Sequence, residues 1–232
     1  MSLPCVPDEG GVAEAAYRLW ALPEYGLGVH VKARVGSLRG DSDFTVALLA
    51  RQASPPLRYA VLASKDIGRE GAHPFRLELY DTGFVGFVGL GIPRGKPGPR
   101  PDAVDSDGYY STALTSRRKL ELSAWTHIAV TRCGTAFTLY IDGSPDTSLD
   151  VPFTQDMNHD YVLDLRIGSH RKPYEPSHPV PVRPMFGAPV EDSFSGAITQ
   201  SLFLFEAIPA EAADAFARAA LASIRTAAPG GA

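Results

Sequence analysis

The chain has 232 residues, of which 21% are charged, with a formal net charge of −4 and a pI near 5.9. A chain of this charge lacks the basic surface that phosphate backbones require, so we expect no nucleic-acid partner. Its 22 glycines and 20 prolines are typical of a protein built from short strands and many turns.

The amino terminus carries no recognisable targeting signal. It lacks a basic start and an apolar segment, and no run in the chain approaches the ~18 apolar residues of a membrane span. Cys5 and Cys133 are the only cysteines, and they either form a disulfide or remain thiols in a reducing compartment. We expect a cytoplasmic protein, or one exported within a larger assembly, unless an export signal has been trimmed.

Residues 9–22 are the first patterned segment. Their alanine, leucine and tryptophan side chains have spacings compatible with a helix, and a short strand is the alternative. Further along, Arg117-Arg118-Lys119 is a short basic run. It predicts a solvated strand edge or turn rather than a polyanion site, because exposed edges often carry such charges.

Two proline-rich segments, residues 91–108 and 170–195, are candidates for ligand binding. Proline lowers the entropy that a loop loses on ordering, and long ordered loops are more often functional than idle. Aromatic rings near arginine suit sugar or peptide recognition, although the same rings can instead pin a loop to the core. The candidate binding residues are Tyr109, Tyr110, Arg171, Tyr174 and Phe186.

Residues 125–143 predict a β-hairpin. Apolar side chains alternate with polar or small ones in both halves, and Gly134 lies in the turn between them. Asp142-Gly143 then predicts a second tight turn, because glycine tolerates the positive φ that such turns need. Within the first strand, His127 is expected to be a packing or sheet-edge residue, and the histidines of the chain lack zinc-type spacing.

The turn Asp156-Met-Asn-His-Asp160 is the candidate metal site. Asp156, Asn158 and Asp160 place three oxygen ligands at alternate positions, as Ca²⁺ prefers. The turn lacks the glycine and the distant glutamate of a helix-loop-helix calcium loop, and aspartate also commonly stabilises turns. Calcium is therefore a candidate cofactor rather than a requirement.

Residues 209–226 predict a C-terminal helix. Proline suits the first helical position, and Glu211 and Asp214 lie near the positive end of the helix dipole. Phe216, Ala220 and Ile224 recur at four-residue spacing and are expected to face the rest of the protein.

The hairpin is similar to the signature hairpin of laminin-G-like domains, in which a Trp-x-His strand turns through a glycine into a Leu-Tyr-Ile-Asp-Gly strand. The resemblance covers about residues 38–220 and implies an all-β, two-sheet antiparallel jelly-roll sandwich of the concanavalin A-like superfamily, with a C-terminal helix. It also implies a first strand near residues 16–21. Further segments that resemble strands of the family lie at residues 43–50, 59–65, 75–80, 83–88, 165–168 and 194–198.

The expected organisation is one structural domain. Residues 1–37 form an N-terminal segment with the first strand, residues 38–226 form the sandwich and its terminal helix, and residues 227–232 form a flexible tail. The related pentraxins bind calcium through acidic and amide residues where this chain has Ser169-His170-Arg171-Lys172. Only Asp192 falls near another such position, so the resemblance does not imply a pentraxin-type double calcium site.

Catalysis is not predicted. Glucanases of this superfamily use a strand that carries Glu-x-Asp-x-Glu or Glu-x-Asp-x-x-Glu, and this chain lacks both patterns. Glu78 and Asp81 are three residues apart, so along a strand they would face opposite sides. The sequence therefore favours a non-catalytic recognition module for a carbohydrate or cell-surface ligand. The alternative is a structural or interaction subunit that docks into a larger protein assembly.

Overall fold

The computed structural model describes residues 29–31, 43–56, 58–65, 75–93, 110–151, 155–156, 165–168, 194–204 and 206–227. The described residues form short and long β-strands followed by one helix. The strands are β1 (Val29–Val31), β2 (Phe44–Gln52), β3 (Tyr59–Lys65), β4 (Phe75–Tyr80), β5 (Phe84–Pro93), β6 (Tyr110–Lys119), β7 (Trp125–Cys133), β8 (Ala136–Ile141), β9 (Ser144–Asp150), β10 (Gln155–Asp156), β11 (Leu165–Ile167) and β12 (Gly196–Leu204), and the helix is α1 (Ala210–Ala227).

The strands form two antiparallel sheets. A five-stranded sheet has the order β12-β2-β7-β8-β9. A seven-stranded sheet has the order β1-β11-β3-β4-β5-β10, and β6 also pairs with β5. The predicted two-sheet antiparallel sandwich with a C-terminal helix is therefore confirmed.

Most predicted strands match the structure closely. β3 and β4 have the predicted bounds, and β2 and β12 extend further than predicted. The prediction of a loop at residues 91–93 is wrong, because these residues continue β5: Gly91 pairs with Tyr110 of β6, and Ile92 and Pro93 pair with β10. The predicted strand at residues 16–21 lies outside the described residues. Of the predicted tail at residues 227–232, Ala227 is still part of α1, and residues 228–232 lie outside the described residues.

The predicted hairpin is β7 and β8. Cys133 lies opposite Ala136, and Gly134 has a φ of 59° in the turn between them. The second turn, between β8 and β9, has positive φ at both Asp142 (52°) and Gly143 (77°). Two positive φ values are the geometry of a type I′ turn, which matches the twist of the strands it joins.

The main core lies between the two sheets. Alternate residues of each strand point into it, so that β2 contributes Phe44, Val46, Leu48 and Ala50. Phenylalanine rings from both sheets meet at its centre, where the ring of Phe44 lies 6.1 Å from that of Phe75 and 6.3 Å from that of Phe137. The burial of these rings dominates the packing of the sandwich.

A second apolar cluster lies on the outer face of the five-stranded sheet, beneath α1. Ala47, Ala129 and Tyr140 of the sheet pack there with Ala213 of the helix. A β-carbon on Gly143 would lie 2.6 Å from the Cα of Asp214, so α1 rests directly on the β8–β9 turn. Ala220 is buried and Phe216 packs against the cluster, as the four-residue spacing predicted.

Asp146 of β9 joins the two sheets at one side of the sandwich. Its carboxylate accepts hydrogen bonds from the backbone N–H of Arg117 and, at 3.2 Å, from Nε of Arg118. Burial acts to raise the pKa of Asp146, but these hydrogen bonds and that of Thr147 outweigh it and lower the pKa. The basic run at residues 117–119 is exposed and ends β6, as expected of a solvated edge.

Trp125 and Ile141 differ in burial, which predicts different costs of truncation. Ile141 is 2% exposed in the inter-sheet core, and Ile141→Ala should lower the free energy of unfolding by about 2–5 kcal/mol. Trp125 is only half-buried, on the outer face of the five-stranded sheet. Trp125→Ala should therefore cost less than about 2 kcal/mol. Chemical denaturation of both variants tests the assignment, and a reversed order would contradict it.

Among the described residues, no helix is both long and apolar enough to span a membrane. Cys133 is an exposed thiol, whereas Cys5 lies outside the described residues.

Candidate functional site

Most of the predicted site residues lie outside the described part of the chain. This applies to Tyr109, Asn158, Asp160, Arg171, Tyr174 and Phe186. Tyr110 and Asp156 are described through their backbones, which pair with the consecutive residues Gly91 and Ile92 of β5. The structure therefore brings the start of one predicted binding segment and the start of the predicted calcium turn to the same end of β5.

A group of polar and aromatic side chains lies on the outer face of the seven-stranded sheet. Phe75, Leu77 and Leu79 of β4 point into the inter-sheet core, so the intervening residues point outwards. We call these outward residues, together with the neighbouring Tyr59 of β3, the outer-face cluster. It consists of Tyr59, Arg76, Glu78 and Tyr80.

A β-bulge in β3 shapes this face. Tyr59 lies opposite Tyr80 and Ser64 lies opposite Arg76, with a register shift between Val61 and Ala63. Tyr59 and Ser64 are five residues apart and would face opposite sides of a regular strand. The extra residue of the bulge places both on the outer face.

An ion pair forms the base of the outer-face cluster. Nε of Arg76 pairs with Oε1 of Glu78, and the side chains are 21% and 4% exposed, respectively. The guanidinium also lies over the ring of Tyr59, with Cζ 5.3 Å from the ring centroid. The arginine is thus the half of the pair that reaches solvent, while the carboxylate that orients it is buried beneath.

Tyr80 completes the cluster beside Glu78. Burial raises the pKa of its phenol, and the neighbouring Glu78 carboxylate, which accepts a hydrogen bond from it, raises the pKa further. The phenol therefore stays protonated at neutral pH. Its ring lies over Gly86 of β5, where a β-carbon would come within 2.7 Å of Cε2.

Gly86 should control the position of the Tyr80 ring. Gly86→Ala should force that ring out of its place while the φ of residue 86 remains suitable for alanine, since it is not in the left-handed region. We expect altered tyrosine resonances in NMR spectra and a loss of less than about 2 kcal/mol of stability. An unmoved Tyr80 ring in the variant would show that this contact does not determine its position.

The cluster offers the groups that sugar recognition uses. Half-buried tyrosine rings can pack against the C–H faces of a pyranose, and the guanidinium and phenol can hydrogen-bond to its polar groups. Val61 and Ser64, which lie on the same face, are fully buried, so the cluster is in a sheltered part of the surface.

The residues of the outer-face cluster are not among the predicted binding residues, although the sequence carries a local signal for them. The alternation Arg76-x-Glu78-x-Tyr80 places three polar side chains on one face of a strand, and that alternation is the available signal.

The described residues contain no group of three or more His, Cys, Asp or Glu side chains that could hold a metal ion.

The chain belongs to the concanavalin A-like lectin/glucanases superfamily, because the laminin G-type family model with that description matches residues 26–177. This confirms the family that the hairpin and strands resemble. No curated protein matches the chain in sequence.

Several solved structures share the fold. The CBM40 module of the Ruminococcus gnavus IT-sialidase, bound to α2,3-sialyllactose, is 12% identical with a TM-score of 0.59, over 86% of this chain and 95% of that one. The leech intramolecular trans-sialidase is 14% identical with a TM-score of 0.58, over 84% of this chain and 26% of that one. A heptameric SAP-like pentraxin from Limulus polyphemus is 14% identical with a TM-score of 0.50, over 77% and 71%. At these identities the likeness is one of fold.

Proposed function

We propose that this protein is a non-catalytic recognition module that binds carbohydrate at the outer-face cluster. The observation that carries the proposal is the Arg76–Glu78 ion pair, held on the sheet beside the half-buried rings of Tyr59 and Tyr80. Paired strands place all four side chains, and a site on rigid strands loses little entropy when a ligand binds.

The charge arrangement favours an acidic glycan. Glu78 is buried and already engaged, so the group presented to a ligand is the guanidinium of Arg76. Guanidinium groups bind carboxylates through paired, charge-assisted hydrogen bonds. The R. gnavus module of the same fold was solved with sialyllactose, whose sugar acid fits this chemistry. We therefore propose sialylated or other carboxylate-bearing glycans as the ligand class.

The predicted loops would extend this site. β6 and β10 both pair with β5 at the end where residues 91–93 lie, and these residues follow shortly after Val88, which lies opposite Arg76. We propose that Tyr109 and Tyr110, which follow the first proline-rich segment, add ligand contacts. Arg171, Tyr174 and Phe186 of the second proline-rich segment are proposed to do the same. Calcium at Asp156, Asn158 and Asp160 would act there by ordering the loops rather than by chemistry on the sugar.

We propose a non-catalytic role because of the carboxyl groups at the site. Hydrolysis of a glycosidic bond by the usual route needs two carboxyl groups on either side of that bond. Among the described strand side chains on the outer face of the seven-stranded sheet, Glu78 carries the one carboxylate, and Arg76 neutralises its charge.

The chain offers a matched pair of variants to test the site. Arg76 lies over Tyr59 at 5.3 Å on one sheet, and Arg51 lies over Trp125 at 5.1 Å on the other. Tyr59→Ala should weaken glycan binding by at least ~30-fold, the usual effect of removing an aromatic anchor. Trp125→Ala removes a comparable contact from the opposite side and should leave binding unchanged. Titration calorimetry that shows equal losses would contradict the proposed location.

The alternative, docking into a larger assembly, would suit an unpaired strand edge. β9 lies at the edge of the five-stranded sheet, but its Asp146 and Thr147 already bond to β6 of the other sheet. This edge thus has a role within the molecule, and recognition of a glycan remains the function that we propose.

A further inference from the structure

His127 is buried beneath α1. It lies on β7 opposite Leu49, on the outer face of the five-stranded sheet, and is 0% exposed. Its ring packs edge-on against that of Phe216, with a centroid distance of 5.4 Å and an interplanar angle of 64°. The imidazole is therefore part of the interface between helix and sheet, and any change in its charge acts on that interface.

The described residues supply no hydrogen-bond partner for the imidazole of His127. Both Nδ1 and Nε2 are buried without a hydrogen bond. A neutral ring tolerates this at modest cost, whereas a cationic ring would bury two N–H donors and a charge. Burial accordingly lowers the pKa of His127 from its ordinary 6.5 to about 4.

Nearby charges do not offset this burial. Oδ1 of Asp142 accepts a hydrogen bond from the backbone N–H of His127 at 2.9 Å, and on α1 the carboxylate of Asp214 pairs with Arg218 at 2.7 Å. Burial alone accounts for the lowered pKa. Among the described side chains on the neighbouring elements, the titratable or charged ones are Arg51, Tyr140, Asp142, Glu206, Glu211, Asp214 and Arg218.

The packing of α1 is separate from the inter-sheet core. The cluster beneath the helix consists of Ala47, Ala129, Tyr140 and Ala213, with Phe216 and three other half-buried residues around it. None of these residues belongs to the inter-sheet core. The contacts of the helix and the packing between the sheets thus involve different side chains.

We propose that protonation of His127 releases α1 from the five-stranded sheet while the sandwich stays folded. Linkage gives the direction in which the docking of α1 depends on pH. Well above pH 6.5 the imidazole is neutral whether α1 is docked or released, so docking does not depend on pH. Between pH 6.5 and about 4 the released state binds one more proton, and docking weakens up to about tenfold per pH unit.

Hydrogen exchange of the intact chain at pH 6.5, 5.5 and 4.5 tests the proposal. After correction for the intrinsic pH dependence of exchange, protection of the α1 amides should fall by about 40-fold between pH 6.5 and 4.5. At pH 4.5 the amides of β2, β7 and β8 should remain protected when those of α1 no longer are. Equal protection of helix and strands throughout would mean a single global transition and would overturn the proposal.

Two variants separate protonation from polarity. His127→Leu and His127→Gln both remove the titration, but only the glutamine keeps a buried polar group beneath the helix. Both should lose the pH dependence of α1 protection, and His127→Gln should show the lower protection at pH 6.5. Persistence of the wild-type pH dependence in either folded variant would assign it to another group.

A titration of the wild-type protein keeps the proposal testable if neither variant folds. The His127 ring resonances should remain those of a neutral imidazole until α1 resonances shift, and the two changes should share one midpoint below pH 6.5. A ring that titrates near pH 6.5 with α1 still docked would overturn the proposal.

Discussion

Phe44→Ala should lower the free energy of unfolding by about 3–5 kcal/mol, among the largest losses from any single truncation in this protein. The Phe44 ring lies within 6.1–6.5 Å of the rings of Phe75, Phe87, Phe137 and Phe203. These rings belong to β4, β5, β8 and β12, so one side chain of β2 joins strands of both sheets. Its removal leaves a cavity where the sheets meet.

Urea denaturation with an exposed apolar control measures this effect. Leu122 is 52% exposed, and Leu122→Ala should change stability by less than about 0.5 kcal/mol. A loss from Phe44→Ala no greater than that of the control would contradict the position of Phe44 at the centre of the sandwich.

Arg76→Leu should also be strongly destabilising, by about 3–5 kcal/mol, because it leaves the buried Glu78 carboxylate without its guanidinium partner. The double variant Arg76→Leu/Glu78→Leu should recover most of this loss, since replacement of a buried ion pair by apolar residues is often nearly neutral. The double variant is thus a folded protein that lacks the polar base of the proposed glycan site.

An exposed ion pair provides the control for this prediction. Arg218 and Asp214 on α1 are 72% and 42% exposed, and Arg218→Leu should cost less than about 1 kcal/mol. Thermal or urea denaturation tests the comparison, with the wild type beside Arg76→Leu, Arg76→Leu/Glu78→Leu and Arg218→Leu. If Arg76→Leu costs no more than Arg218→Leu, the Arg76–Glu78 pair does not stabilise the sheet as described.

The fold was predictable because its strands carry local signals. In β4, β7 and β8 apolar residues alternate with polar or small ones, and glycine marks the turns at Gly134 and Gly143. β9 was not predicted. Its sequence Ser-Pro-Asp-Thr-Ser-Leu-Asp has little apolar alternation, and it forms a strand because β8 pairs with it.

The candidate site depends on non-local features that a single sequence does not display. Arg76, Glu78 and Tyr80 share a face through local alternation, but the position of Tyr59 depends on the β3–β4 register and its bulge. Tyr80 in turn needs Gly86 from another strand. The position of Trp125 on the outer face likewise depends on which face of β7 meets the core, whereas alternation alone only assigns it to one of two faces. The loop residues predicted for binding remain predictions.

A glycan array with sialylated and neutral glycans tests the central claim most directly, with calcium and again with chelator. The wild-type protein should bind carboxylate-bearing glycans, and loss of binding in chelator would support a calcium-ordered loop. Arg76→Leu/Glu78→Leu should remain folded and lose at least ~30-fold in binding, while Trp125→Ala binds as the wild type does. No binding by the wild type in either condition, or unchanged binding by the double variant, would contradict a glycan site on the outer face of the seven-stranded sheet.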